Sequence, residues 1–244
     1  MGTRMSGVPS CATTDAKPNN PMDLFGHDPA VNLLPGDGTV NYHGPILTPA
    51  DARNYFEALL HRVPWKQDEA VIFGKHLITA RKVAWYGDSD YFYTYSGTTK
   101  QAMLWSAELI ALKTIVEQLA STKFNSCLLN HYHDGNEGMG WHSDDEKALG
   151  TNSTIASLSL GAERKFCLKH KQTRQTVSLI LENGSLLVMK DATQTHWLHS
   201  VPKSKKITTP RINLTFRTIV QPAPASRPQS GGVKFPGMVP YPPK

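Results

Sequence analysis

The chain has 244 residues, 39% of them hydrophobic, and a net charge of +6. That length supports one sizeable core or two small ones, and the modest apolar share points to polar tails. No apolar run approaches the ~20 residues that span a bilayer, and no basic start followed by an apolar run marks a secretory signal. Met1-Gly2-Thr3-Arg4-Met5-Ser6 fits a loose myristoylation pattern of the kind that short sequences often match. Cys11, Cys127 and Cys167 are odd in number and far apart, as in the reducing cytoplasm or nucleus. The charge is unevenly placed. Residues 155–217 hold 11 Lys/Arg and 3 Asp/Glu, a balance of +8, which leaves −2 elsewhere. A basic half suits a polyanion such as nucleic acid, or simply a solvated basic surface.

Residues 1–20 are polar and aperiodic and read as a disordered tail. Residues 21–47 carry scattered apolar groups and Pro/Gly turns, an irregular lead-in. Thr48-Pro49-Ala50-Asp51 starts a helix: a Thr N-cap, Pro at the first position, an acid in the first turn. It runs to about His61 with Tyr55, Phe56, Leu59 and Leu60 on one face. A second helix over 105–121 has the stripe Leu109, Leu112, Ile115, Val116, Leu119. From 124 onward short strands alternate with turns, at 125–133, 154–160, 164–170, 175–181, 185–190, 195–200 and 211–219. Cys127 and Cys167 fall in these runs as small core residues. Two helices and many evenly spaced strands fit an α+β protein built on a double-stranded β-helix, the cupin-like jelly roll, with buttressing helices. Residues 221–244 are rich in proline and read as a second disordered tail, so one domain covers 21–220.

Within the strand region, His142-Ser143-Asp144 and the distant His199 supply two imidazoles and a carboxylate. That set matches a facial triad for non-haem Fe(II), which leaves the remaining positions open for a cosubstrate and O2. The i, i+2 spacing puts His142 and Asp144 on one side of an extended segment. Downstream, Arg211-Ile212-Asn213-Leu214-Thr215-Phe216-Arg217 alternates strictly. Such a strand can expose its polar face. If that face points inward instead, two arginines are buried, which costs several kcal/mol each unless an anion joins them. A dicarboxylic acid suits a guanidinium fork, and with an iron triad it suggests 2-oxoglutarate.

Asn130-x-Tyr132, His142-x-Asp144, His199 and Arg211-x-Asn213-x-x-x-Arg217 occur in the order found in the AlkB family of Fe(II)/2-oxoglutarate nucleic-acid dealkylases. The chain resembles that family over about residues 71–219. Tyr86-Gly87-Asp88, Tyr93-Thr94-Tyr95-Ser96-Gly97 and Ile155 to Ala162 resemble its duplex-DNA repair branch. The resemblance implies Fe(II), 2-oxoglutarate and O2 as reagents, with His142, Asp144 and His199 as metal ligands. It implies that Asn130, Tyr132, Arg211, Asn213 and Arg217 hold the cosubstrate, Arg211 at the distal carboxylate and Arg217 with Asn213 at the metal end. It also implies a jelly-roll core at about 124–220 and a nucleotide-recognition region at about 65–100.

A flipped base is expected between Tyr95 and His142, with Tyr93 lining the pocket or touching the backbone. Asp145 and Glu146 would contact that base and favour cationic lesions such as 1-methyladenine and 3-methylcytosine. Ile72-Phe73-Gly74-Lys75 resembles the branch's finger, whose apolar wedge fills the gap in the stack. Arg81 falls where that branch meets the opposite strand. Read from the residues alone, Phe73 also fits a core residue at a strand turn, and Tyr91, Tyr93 and Tyr95 one face of an ordinary strand. His131 and His133 offer further imidazoles but lack the ligand pattern. Lys169, Lys171, Arg174, Lys203, Lys205 and Lys206 are candidates for phosphate contacts. The partner expected is alkylated DNA, double-stranded, with RNA as the other nucleic acid, bound by a monomer away from any membrane. The rival functions are a 2-oxoglutarate oxygenase acting on RNA, protein or a small molecule, and a non-catalytic nucleic-acid binding module.

Overall fold

The computed structural model describes residues 27–72, 75–89, 92–95 and 98–220, with side chains outside 69–77 and 90–100. The expected terminal tails, Phe73, and the side chains of Tyr93 and Tyr95 lie outside the described residues. In chain order the elements are β1 (Thr39–Pro45), α1 (Pro49–Arg62), β2 (Lys66–Ile72), β3 (Lys75–Gly87), β4 (Phe92–Tyr95), β5 (Thr98–Gln101), β6 (Met103–Leu104), α2 (Ala107–Ala120), β7 (Ser126–Tyr132) and β8 (Met139–His142). After these come β9 (Ile155–Gly161), β10 (Arg164–His170), β11 (Thr176–Leu181), β12 (Ser185–Lys190), the short α3 (Thr193–His196), β13 (Trp197–Val201) and β14 (Arg211–Arg217).

Two sheets face one another. The major sheet runs β1-β12-β9-β14-β7-β3-β2, with β6 beside β3, and the minor sheet runs β11-β10-β13-β8. This is the double-stranded β-helix expected from the strand spacing. Both helices pack on the back of the major sheet. Thr48 caps α1 by accepting from the Asp51 N–H at 3.1 Å, and Ser106 caps α2. Ala52, Phe56 and Leu59 of α1 and Leu109, Leu112 and Val116 of α2 join Leu129, Leu214 and Phe216 of the sheet in one core. A second core, with Phe166, Leu168, Trp197, Ile155 and Leu187, fills the space between the sheets.

Two elements differ from expectation. The lead-in contains β1, which pairs antiparallel with β12 but breaks register between Tyr42 and Gly44. That bulge, with Gly44 at φ +66°, erases the two-residue period by which a strand is read. On α2, Leu119 is 40% exposed while Glu117 is buried. Glu117 takes the inward place because Lys113, Lys123 and the Phe124 N–H satisfy its carboxylate.

Candidate active site

Strand alternation builds the site. On β14, Ile212, Leu214 and Phe216 enter the helix-side core, so Arg211, Asn213, Thr215 and Arg217 line the cavity between the sheets. On β7, Leu129 faces the helices, and Leu128, Asn130 and Tyr132 line the cavity. The register sets Arg211 opposite Tyr132 and Asn213 opposite Asn130. The residues expected to hold a cosubstrate therefore form one patch across two neighbouring strands.

The minor sheet supplies the imidazoles. His142 of β8 pairs directly with His199 of β13, and their rings lie 4.2 Å apart. Asp144 follows two residues beyond β8, its backbone N–H donating to Gln194 Oε1 at 2.9 Å. One ligand atom from each of His142, Asp144 and His199 falls within 4.8 Å of the others. His142 Nδ1 sits 2.9 Å from the Gly140 carbonyl. A carbonyl only accepts, so Nδ1 carries the proton and Nε2 keeps its lone pair for a metal. Burial, with His142 and Arg217 adding to it against Asp144, pushes His199 down to about 3 and keeps it a neutral imidazole. Burial pushes the Asp144 carboxyl up, but Arg217, His199 and His142 outweigh it and hold it at about 2. Arg217 Nη2 donates to Asp144 Oδ2 at 2.7 Å, which leaves Oδ1, the oxygen 3.9 Å from His142 Nε2, turned toward the imidazoles. Two imidazoles, that of His199 held neutral, and one ionised carboxylate fit Fe(II).

At the other end of β14, Arg211 is 1% exposed. Its Nη2 donates to Ser159 Oγ at 2.9 Å and to Asn213 Oδ1 at 2.6 Å. Its Nε and Nη1 have no hydrogen-bond partner. Burial lowers its pKa to about 10, with Arg164 acting in the same direction and Tyr132 opposing. A buried guanidinium with two unpaired nitrogens fits an incoming carboxylate. Burial works against the charge on Arg217 as well, yet Asp144 and Glu146 outweigh it and raise its pKa.

Other expected residues fall in different places. Glu146 is partly buried, and burial, reinforced by Asp144 and Asp145 and opposed by Arg217, raises its pKa. The Asp145 side chain is 61% exposed and stands 3.6 Å from Lys171 Nζ. Lys169 lies 4.2 Å over the ring of Trp141, beside the metal-side histidine. His131 faces away from the cavity against Trp65 and His133, and His133 pairs with Glu137. Arg81 departs from expectation: it is 7% exposed and turned inward, donating to Asn130 Oδ1 at 2.5 Å and paired with Asp68. A guanidinium held that way is not offered to an opposite nucleic-acid strand.

Sequence reasoning missed Arg164 and the two serines. Arg164, 1% exposed, lies 5.6 Å over the Tyr132 ring and donates to the Glu137 and Pro202 carbonyls, pinning the turn that leads into β8. Ser159 bonds Arg211, and Ser157 donates to Asn213 Oδ1 at 2.9 Å. Their signal was present: Arg164 shares a strand face with Phe166 and Leu168, and Ser157 and Ser159 alternate with Ala156, Leu158 and Leu160.

A triad on the minor sheet facing buried arginines on the major one defines a class, and the sequence agrees. The chain belongs to the 2OG-Fe(II) oxygenase superfamily, whose profile matches residues 38–217. Within it, the chain is similar to AlkB homologues. It is 41% identical over 174 residues to the DNA oxidative demethylase ALKBH2 of Homo sapiens, covering 68% of this chain and 64% of that protein. The Bos taurus ALKBH2 is also 41% identical, with 68% and 60% covered. The alpha-ketoglutarate-dependent dioxygenase alkB homolog 3 of Bos taurus is 40% identical, with 69% and 62% covered. The chain thus matches less than two thirds of the length of each of these relatives. A prolyl hydroxylase of Trichoplax adhaerens, solved with a hypoxia inducible factor peptide, shares the fold at TM-score 0.52 and 15% identity, covering 74% of this chain and 83% of that one. Membership implies Fe(II), 2-oxoglutarate and O2 as the reagents, and the donor sets at the two ends of the cavity fit them.

Proposed function

We propose that the chain oxidatively removes N-alkyl groups such as those of 1-methyladenine and 3-methylcytosine from DNA. The observation that carries this reading is a single cavity holding both the His142–Asp144–His199 group and the unpaired guanidinium edge of Arg211. The substrate class is supported by the similarity to proteins named DNA oxidative demethylase and by the basic balance of residues 155–217.

Iron held by His142, Asp144 and His199, with 2-oxoglutarate, would supply the oxidation that turns N–CH3, 2-oxoglutarate and O2 into N–H, formaldehyde, succinate and CO2. The chain's own residues do the rest. Arg211 takes the distal carboxylate, assisted by Tyr132. Asn130 and Asn213 line the path between the ends. Arg217 keeps Asp144 ionised and oriented. The His142 ring walls the base pocket, and the resemblance gives Tyr95 and Tyr93 the remaining aromatic roles there. Asp145 and Glu146 set a negative field that favours a cationic base. The duplex is the preferred substrate in this reading, with Phe73 as the wedge that holds the stack open.

The test is mass-spectrometric. The protein is incubated with Fe(II), ascorbate and 2-oxoglutarate on 1-methyladenine in matched single- and double-stranded DNA. Loss of one CH2 unit per lesion, dependent on 2-oxoglutarate, is expected, faster on the duplex. Succinate formed without loss from either DNA would move the substrate to RNA, protein or a small molecule. Binding without any turnover of 2-oxoglutarate would leave a nucleic-acid binding module.

A further inference from the structure

Asn130 stands on the cavity face of β7, and its amide has two unlike ends. A carboxylate in the cavity needs the NH2 end, while the oxygen end would repel it. Nothing in the shape of an Asn side chain decides between them. Arg81 decides. Its Nη1 donates to Asn130 Oδ1 at 2.5 Å, and a guanidinium has donors only, so the amide cannot sit reversed beside it. The NH2 end is thereby turned away from Arg81.

Arg81 is itself fixed. Its Nη2 donates to Asp68, and Nη1 also lies 3.9 Å from Met139 Sδ. Asp68 is on β2, Arg81 on β3 and Asn130 on β7, three consecutive strands of the major sheet. The carboxylate, guanidinium and amide form one row of donor–acceptor contacts across them. Val83 pairs directly with Asn130, so Arg81, two residues earlier, shares its face and reaches it on the diagonal.

We propose that Arg81 is a positioning residue for the cosubstrate: held by Asp68, it orients the Asn130 amide so that the NH2 donates to a carboxylate of 2-oxoglutarate. This rests on the reading of the cavity as a 2-oxoglutarate site. It replaces a contact with the opposite nucleic-acid strand, and it ties the β2–β3 hairpin to the cosubstrate end of the cavity. A loosened hairpin would therefore weaken 2-oxoglutarate binding with no nucleic acid present.

The experiment is calorimetric titration of 2-oxoglutarate into the full chain loaded with Fe(II), under argon and without nucleic acid. Wild type is compared with Arg81→Met, Arg81→Lys, Asn130→Ala and the double variant Arg81→Met/Asn130→Ala. Arg81→Met should weaken binding about tenfold, the lower range for removing a residue that orients a ligand group. Arg81→Lys, which keeps a donor, should recover most of that. The double variant should bind no more weakly than Asn130→Ala alone, since each single change removes the same oriented donor. Unchanged binding in Arg81→Met would overturn the proposal, as would losses that multiply in the double variant. If Arg81→Met does not fold, Asp68→Asn is titrated in its place; it should weaken binding in the same direction by a smaller factor, and an unchanged affinity there also overturns the proposal. Wild-type protein that binds no 2-oxoglutarate would remove the cosubstrate reading itself, a different outcome from one confined to Arg81.

Discussion

The two ends of β14 treat the same side chain in opposite ways. Arg217 is answered from within the protein: Asp144 accepts its Nη2 and Glu146 adds a second negative group. Arg211, seven strand positions away counting both ends, has only neutral oxygens around it and keeps two nitrogens unpaired. One end is complete in charge as folded, although Arg217 Nε has no hydrogen-bond partner, and it shapes a carboxylate that belongs to the chain. The other is incomplete as folded, and in the proposed function it receives a carboxylate that does not. A buried charge left without a counter-charge is a standing cost, and that cost supports the proposed place of the 2-oxoglutarate carboxylate.

Breaking the complete end should have the largest effect. Asp144→Ala removes a metal ligand and leaves Arg217 without its bonded counter-ion. Fe(II)-dependent 2-oxoglutarate turnover should vanish, and the metal-free protein should lose about 3–5 kcal/mol in urea melts. His199→Ala should abolish turnover equally, with a smaller stability loss because no ion pair is orphaned. Equal stability losses in the two variants would mean that the Arg217 pairing contributes little.

Breaking the incomplete end should weaken the ligand and spare the fold. Arg211→Met should raise the KM for 2-oxoglutarate by about 100-fold, the loss of one buried charge-assisted bond pair. Its metal-free melting temperature should hold or rise, because an apolar chain relieves an unpaired charge. A large drop in Tm would show that Arg211 is satisfied without an anion.

Acid should sharpen the contrast more gently. The folded Asp144 value of about 2 lies below the ordinary 3.8, so the unfolded chain takes up the proton first as pH falls. The stabilisation is whole above the unfolded value and is lost as pH falls through about 2, amounting to ~2 kcal/mol. Metal-free urea melts in the wild type and Asp144→Asn should show the difference closing across that window. Parallel curves would assign the acid sensitivity elsewhere.

Much of this was legible in the sequence because strands write their faces in a period of two. The β14 alternation announces Arg211, Asn213, Thr215 and Arg217 on one side, and the same rule places Asn130 with Tyr132. What stayed hidden depends on partners that period cannot name. Arg164 alternates just as clearly, but its partners are loop carbonyls at Glu137 and Pro202, distant in sequence and chemically anonymous. Arg81 is expected at the opposite nucleic-acid strand only because the resemblance puts that contact there. Only the meeting of three strands reveals Asp68 and Asn130 waiting for it. β1 was lost to its bulge, and Leu119 took the stripe position that ion pairing gives to Glu117.

Among the described strands β14 is the last in chain order, yet it lies inside the major sheet, between β9 and β7. A ribosome adding roughly 5–20 residues per second would finish β7 and β9 seconds before it reached β14. Through that interval both strands present open backbone edges and apolar side chains to whatever is nearby. The strand that closes this gap also brings both arginines, so the sheet is sealed and the cavity's polar face completed in one late event.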